Sequence, residues 1–358
     1  MKILFVAGEL SGDRNASFLI NKLREKSKDL EIYAYAGKES EKQGAILIED
    51  ITHRAVVGFT EAFGTVFYFK NLLKEIYNFV RKKNIKKVVL VDFPGFNLNL
   101  ARILKRIDRE IFYFIPPQVW AWGSWRIKEL RKYTDKVLST FPFEAEFLRK
   151  KKVNAFFVGN PIVERIRWNE NKEKIIIFLP GSRKKEIKRH VKDMIRIRDY
   201  IERDFKDYRF LISLLYSDSE ILSKVEGKFE IIEGEAAPYI EKARYAITVS
   251  GTAALECALA GTPMVVIYKV SEFTYVLGRM LTKIPYVSLV NIILKKRVIP
   301  EYVQHINLKE IREFLVTLNS KKEKLEEIIS SLKYLRQILK SEKIFNPVYL
   351  ILNKLNKN

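Results

Sequence analysis

The sequence predicts an α/β protein of two doubly wound parallel-sheet domains. Three observations carry that prediction. Short apolar runs alternate with helix-period segments. The alternation pauses around residues 159–174 and then restarts. Two glycine turns about seventy residues apart each follow an apolar run directly and open a helix.

The elements follow in order. Ile3–Ala7 reads as a buried strand, and Ser11-Gly12-Asp13 as the cap of a helix running to about Glu25. Ile32–Ala36 is a second strand. Val88–Val91 is a third, ending at Asp92-Phe93-Pro94-Gly95-Phe96-Asn97. Ile111–Ile115 leads into Pro116-Pro117-Gln118-Val119-Trp120-Ala121-Trp122, and Lys136–Ser139 and Ala155–Val158 complete the set. Strands this uniformly apolar belong to a parallel sheet covered on both faces. The stretch from Gly159-Asn160-Pro161 to about Lys174 reads as a hinge. A second set begins at Ile175 and continues through Phe210–Leu214, Tyr245–Val249 and Met264–Tyr268, and from about Leu308 the pattern is helical.

The two glycine turns are Leu179-Pro180-Gly181-Ser182-Arg183 and Ser250-Gly251-Thr252-Ala253-Ala254-Leu255-Glu256. A strand that breaks at a small residue and opens a helix leaves backbone N–H groups at a positive helix end, which suits a phosphate. Neither turn has the G-x-G-x-x-G or G-x-x-x-x-G-K-[ST] spacing. Arg183 offers a bidentate grip on a diphosphate, and Glu256 could accept hydrogen bonds from ribose hydroxyls. Together they point to a diphosphate-sugar site. The competing reading makes the glycines packing positions and the two charges surface residues.

At 358 residues the chain is long for a single core. Its one cysteine, Cys257, lies in an apolar helix pattern, which excludes a disulfide framework and fits a reducing compartment. His53, His190 and His305 have no metal-ligand spacing, so neither a metal nor a cofactor is expected. No signal peptide and no apolar stretch long enough to span a bilayer is read, and a cytoplasmic location is expected. The formal charge is +22, from 65 Lys+Arg against 43 Asp+Glu. No nucleic-acid motif accompanies it. An anionic lipid surface is the favoured partner, with heat adaptation as a contributor. Residues 62–79 strengthen that reading: Phe63, Val66, Phe67, Phe69, Leu73, Ile76 and Phe79 fall mostly on one helical face, with Lys70 and Lys74 among them. A core-packing helix is the alternative.

Taken together, Gly8-Glu9-Leu10-Ser11-Gly12-Asp13, the Asp92–Asn97 segment, Gln118–Trp122, Phe141-Pro142-Phe143-Glu144 and Phe157–Pro161 resemble the lipid-A-disaccharide synthases. Leu179–Arg183, Ser250–Glu256, Pro263–Lys269 and Pro300-Glu301-Tyr302-Val303-Gln304 extend the resemblance over nearly the whole chain. There are departures. Asn160 stands where the family usually has histidine, Val290-Asn291 where it usually has Pro-Asn, and Arg14-Asn15 replace small or histidine residues.

The resemblance implies a GT-B glycosyltransferase, with two Rossmann-like domains facing across a cleft. Residues 1–160, completed by a C-terminal helix at about 340–358, would face acceptor and membrane, and residues 161–339 would bind the UDP-sugar. The implied reaction joins UDP-2,3-diacylglucosamine to 2,3-diacylglucosamine 1-phosphate, giving lipid A disaccharide 1-phosphate and UDP at the inner face of the inner membrane of a Gram-negative cell. A homodimer is among the arrangements it admits. An α-linked donor and a β-linked product require inversion, hence a base for the acceptor hydroxyl and donors for the leaving diphosphate. Asp92 is the first choice as base, with Glu9 and Asp13 in reserve; capping of the following turn is the alternative role for Asp92. Gly181, Ser182, Arg183, Ser250, Gly251, Thr252, Glu256, Asn291 and Gln304 are expected at the nucleotide. Ser11, Gly12, Asn97, Gln118, Trp120 and Trp122 are expected at the acceptor. Another GT-B enzyme, such as a UDP-sugar epimerase or a different membrane glycosyltransferase, and a non-catalytic peripheral membrane protein are the rival readings.

Overall fold

The predicted strands lie in two parallel sheets. The computed structural model describes residues 1–52, 62–121, 123–214, 218–269, 285–340 and 346–352, with side chains from residue 67 onward in the helix that starts at Ala62. Strands are β1 Lys2–Ala7, β2 Glu31–Ala36, β3 Ile46–Asp50, β4 Lys87–Val91, β5 Glu110–Phe114, β6 Lys136–Ser139, β7 Ala155–Phe157, β8 Glu173–Leu179, β9 Arg209–Ser213, β10 Glu230–Ile232, β11 Ala243–Val249, β12 Met264–Tyr268 and β13 Glu301–Val303. Helices are α1 Leu10–Lys26, α2 Lys38–Lys42, α3 Ala62–Lys82, α4 Pro94–Lys105, α5 Arg126–Tyr133, α6 Pro142–Lys150, α7 Ile162–Arg165, α8 Lys184–Ile201, α9 Ser219–Val225, α10 Ala237–Lys242, α11 Thr252–Leu259, α12 Leu289–Leu294, α13 Leu308–Ser320, α14 Lys322–Leu339 and α15 Pro347–Leu352. Contacts divide the chain into Met1–Pro161 with Ser341–Asn358, and Ile162–Lys340.

In the first unit the strand order is β3-β2-β1-β4-β5-β6-β7. The pleat sends alternate side chains to opposite faces. Leu4, Val6, Val88 and Leu90 join one core, with Leu72, Ile76 and Val80 of α3. Ile3, Phe5, Val89 and Val91 join the other, with Leu19 and Leu23 of α1 and Val348 and Ile351 of α15. Lys87 and Lys136 reach α15 and donate to the carbonyls of Ile351 (2.5 Å) and Leu350 (3.1 Å), so cations satisfy its last turn. Helix α1 begins at Leu10, before the cap that the sequence suggests. Glu9 is its N-cap and Ser11-Gly12-Asp13 lie inside the first turn.

The second unit has the order β10-β9-β8-β11-β12-β13. Helix α8 covers it through Ile187, Val191, Met194, Ile197 and Ile201, an i, i+4, i+7 stripe. Cys257 is fully buried in α11, and burial pushes its thiol well above the usual range. Lys172 donates to the carbonyls of Glu241 and Ala260 and to the Thr262 hydroxyl, and burial lowers it to about 8. That lysine ties the segment after α7 to the second unit.

Candidate active site

Each sheet is wound outward from a central pair of strands, β1/β4 in the first unit and β8/β11 in the second. The chain order reverses at these pairs, and ligands of open α/β sheets bind outside the strand carboxyl ends at such points. In the first sheet Ala7 pairs with Val91, so Gly8-Glu9 and Asp92 emerge side by side. In the second Leu179 pairs with Thr248, so the Gly181 and Gly251 turns emerge side by side.

Asp92 and Phe93 have φ of 48° and 49°. Two successive non-glycine residues in the left-handed region are uncommon and cost free energy, and such strain gathers at functional sites. The surroundings hold the turn in place. The Asp92 N–H donates to the Phe114 carbonyl (3.0 Å), and its own carbonyl accepts from Tyr113 Oη (2.8 Å) and Asn97 Nδ2 (2.9 Å). Phe93 stacks on Phe96 and meets Phe69 of α3. A Cβ on Gly8 would lie 2.2 Å from the Phe93 ring, so only glycine admits that ring. The result turns the half-buried Asp92 out at the end of β4 on a fixed backbone.

Several expected contact residues serve this scaffold. Asn97 is fully buried, and its Nδ2 donates to the carbonyls of Val6, Val91 and Asp92. It steadies the backbone at Asp92 through Nδ2, while its Oδ1 is buried without a hydrogen-bond partner. Asp13 is 2% exposed and accepts from the Glu39 and Ser40 amides and the Ser40 hydroxyl. Its carboxylate thus caps α2 and is not a reserve base. Glu9, the N-cap residue of α1, is half-buried and makes no side-chain cap hydrogen bond, Ser11 is exposed, and Gly12 packs near Ala7 and the Val91 carbonyl. Gln118 is exposed and Trp120 half-buried; Trp122 lies outside the described residues, as do the side chains of Phe63 and Val66.

Glu144 escaped the sequence reading as a site residue. It is 2% exposed, lies in hydrogen-bond contact with Ser139 Oγ, accepts from Trp120 Nε1 (3.0 Å), and burial raises it to about 7. Its position as the third residue of α6 looks like an ordinary helix-start acid, and only the fold shows what it faces.

At the second switch point Gly181 (φ 114°) and Gly251 (φ 144°) hold conformations that favour glycine. Ser182, Arg183 and Thr252 are exposed, and Ser250 Oγ donates to the Val287 carbonyl (2.9 Å). The Ser182 amide, expected to be open, donates to Glu186 Oε2 (3.0 Å), so a carboxylate stands where a phosphate oxygen would be received. Behind it His190 is buried. The Lys269 amide donates to its Nε2 (3.1 Å), leaving Nδ1–H to donate to the Glu186 carbonyl (2.8 Å). Burial depresses its pKa, so it bridges α8 to the end of β12 as a neutral ring. Gln304, at φ 63°, follows β13, and its amide donates to the Tyr268 carbonyl (2.9 Å). Glu256 is half-buried in the first turns of α11.

Asn291 departs from expectation. It is fully buried, with Nδ2 donating to Ile299 O and Glu301 Oε1 and Oδ1 accepting from the Val298 and Ile299 amides. Both donors and both lone pairs are used, so it ties α12 to β13 and has no capacity left for a nucleotide. Among the described residues no group of three or more His, Cys, Asp or Glu could hold a metal ion.

The family described as lipid-A-disaccharide synthetase matches residues 3–347. Lipid-A-disaccharide synthase 1 of Legionella pneumophila (strain Lens) is 33% identical over 361 residues, covering 95% of this chain and 94% of the relative. The Aquifex aeolicus (strain VF5) lipid-A-disaccharide synthase is 32% identical over 348 residues, covering 94% and 95%. Among solved structures, the glycosyltransferase of kitacinnamycin superposes with a TM-score of 0.67 at 13% identity, covering 99% of each chain. A Methanocaldococcus jannaschii UDP-GlcNAc 2-epimerase, in complex with UDP-GlcNAc and UDP, gives 0.60 at 15% identity, covering 93% of this chain and 100% of that one. These two show a shared GT-B architecture.

Proposed function

The chain belongs to the lipid-A-disaccharide synthase family and is a glycosyltransferase, and from that premise we propose how its residues divide the reaction. The donor is UDP-2,3-diacylglucosamine and the acceptor 2,3-diacylglucosamine 1-phosphate. Asp92 takes the proton from the acceptor 6-hydroxyl as that oxygen attacks the anomeric carbon. The carbon–oxygen bond to UDP breaks on the opposite face, so configuration inverts. Arg183, the Gly181-Ser182 turn and the Ser250–Thr252 turn stabilise the departing diphosphate, and Glu256 and Gln304 hold the nucleoside. A single strong observation supports Asp92: a carboxylate carried on two strained left-handed residues at the first switch point, with the surrounding hydrogen bonds spent on holding that backbone.

Both substrates carry acyl chains, so the enzyme must meet a lipid surface. Phe67 of α3 is 67% exposed, and a hollow of about 360 Å³ between α3 and α4 is lined by Lys70, Leu73, Lys74, Tyr77, Ile103 and Arg106. Apolar walls with three cations suit anionic headgroups. Phe69, in contrast, packs on Phe93 and Phe96 and belongs to the core, so only part of α3 is available for membrane contact. Among the described residues no helix is long and apolar enough to cross a membrane, which fits a peripheral enzyme at the inner face of the inner membrane.

The test is incubation with the defined donor and acceptor followed by mass spectrometry. A disaccharide 1-phosphate formed in step with UDP supports the assignment. UDP release without disaccharide would overturn it in favour of an epimerase-like or hydrolytic reaction.

A further inference from the structure

The carboxyl ends of β4, β5 and β6 lie side by side, because Val91 pairs with Phe114 and Phe114 with Leu138. Asp92, the Pro116–Trp120 loop and the Ser139–Glu144 turn therefore follow one another along one edge. Glu144 lies beneath that edge. Its Oε1 accepts from Trp120 Nε1, and the Trp120 ring meets Phe143 edge-on at 4.9 Å.

Burial and the hydrogen-bond geometry together favour a neutral Glu144. Ser139 Oγ lies 3.0 Å from the Phe141 carbonyl and 2.5 Å from Glu144 Oε2, and it accepts from the Phe141 amide (3.2 Å). A hydroxyl has one hydrogen and cannot donate to both oxygens. A carbonyl can only accept, and in the neutral arrangement Ser139 donates to Phe141, whose carbonyl also accepts from the Ala145 amide (3.1 Å), while Glu144 donates to Ser139. Every contact is then satisfied with Glu144 as a neutral acid, the form that full burial also favours.

We propose that Glu144 is a positioning residue for the acceptor side of the site: as a neutral carboxylic acid it fixes the indole of Trp120 and keeps a second negative charge away from Asp92. The proposal rests on the acceptor reading of Trp120 and Asp92 given above. Burial raises Glu144 most, the Ser139 and Trp120 hydrogen bonds pull it partly back, and repulsion from Asp92 adds a smaller rise. Tyr113, on β5, is itself pushed far above the ordinary range by burial and by Asp92, and stays neutral. Arg126 and Glu129 of α5 act on Tyr113 with opposite sign. A folded-state pKa raised to about 7 leaves the neutral arrangement complete below that pH and loses it as pH rises through it.

The experiment measures acceptor KM, kcat and UDP affinity from pH 6 to 9 on the full chain. The variants are Glu144→Ala, Glu144→Gln, Trp120→Phe and the Glu144→Ala/Trp120→Phe double. Glu144→Ala should raise acceptor KM about tenfold, as expected when a buried donor loses its partner, and leave UDP affinity unchanged. Glu144→Gln keeps an acceptor for Trp120 and a donor for Ser139, so it should restore most of that loss and abolish the alkaline decline. Trp120→Phe should raise acceptor KM, and the double variant should be no worse than the weaker single. An alkaline decline that persists in Glu144→Gln would overturn the proposal, as would additive effects in the double. Where Glu144→Ala fails to fold, the Gln pH profile decides. If Trp120→Phe raises acceptor KM while the Glu144 variants leave it unchanged, positioning fails and the acceptor reading stands. An unchanged KM in Trp120→Phe removes Trp120 from the acceptor reading and the proposal with it.

Discussion

At the β1/β4 switch point Asn97 and Asp13 are buried and committed to the protein itself, whereas at β8/β11 several polar side chains face solvent. Asn97 and Asp13 spend their hydrogen bonds on backbone groups, and the Phe93 ring fills the space beside Gly8. Ser182, Arg183 and Thr252, in contrast, are exposed around two glycine turns. One winding pattern thus carries both the proposed base and the proposed diphosphate turns. A general base gains from being held where the proton will be. A diphosphate site must keep donors available until the ligand arrives, so its order is completed by binding.

The sharpest challenge to this contrast is Asp92→Asn. It should lower turnover about 10²- to 10⁴-fold with folding intact, the range for loss of a general base. Near-normal turnover would move the base to Glu9. Arg183→Ala comes next. Loss of a charge-assisted hydrogen bond, about 1.5–3 kcal/mol, should raise the donor KM roughly 10- to 100-fold and leave thermal stability unchanged. A stability loss in that variant would show the second switch point to be as tightly packed as the first.

Smaller effects sharpen the same contrast. Gly8→Ala forces a Cβ into Phe93 and should cost about 1–3 kcal/mol of stability, measured by denaturant unfolding, together with turnover. Unaltered stability would mean that the Asp92 turn is not held by packing. Glu186→Gln removes the negative charge from the Ser182 amide and should tighten UDP a few-fold while costing about 0.3–1 kcal/mol of helix stability. Weaker UDP binding there would make Glu186 a ligand contact rather than a stand-in.

The sheets were legible because their strands are buried on both faces and read as unbroken apolar runs, such as Ile175–Phe178. The edge strands β3, β10 and β13 were not. Ile46–Asp50 ends in two acidic residues, and Glu230–Ile232 and Glu301–Val303 are only three residues long. The glycine turns were legible from the small residue that ends each run. The commitments of Asn97, Asn291 and Asp13 were not, since their partners are largely backbone groups up to 91 residues away. Glu144 was hidden for a related reason. Its acid sits at a common helix-start position, and burial against Trp120 arises only when β5 and β6 pair.

The division between a base on the first unit and a nucleotide site on the second can be tested by titrating UDP into Asp92→Asn and Arg183→Ala by calorimetry. The account predicts the wild-type Kd for Asp92→Asn and clearly weakened binding for Arg183→Ala. Equal weakening in both, or wild-type affinity in Arg183→Ala, would contradict it.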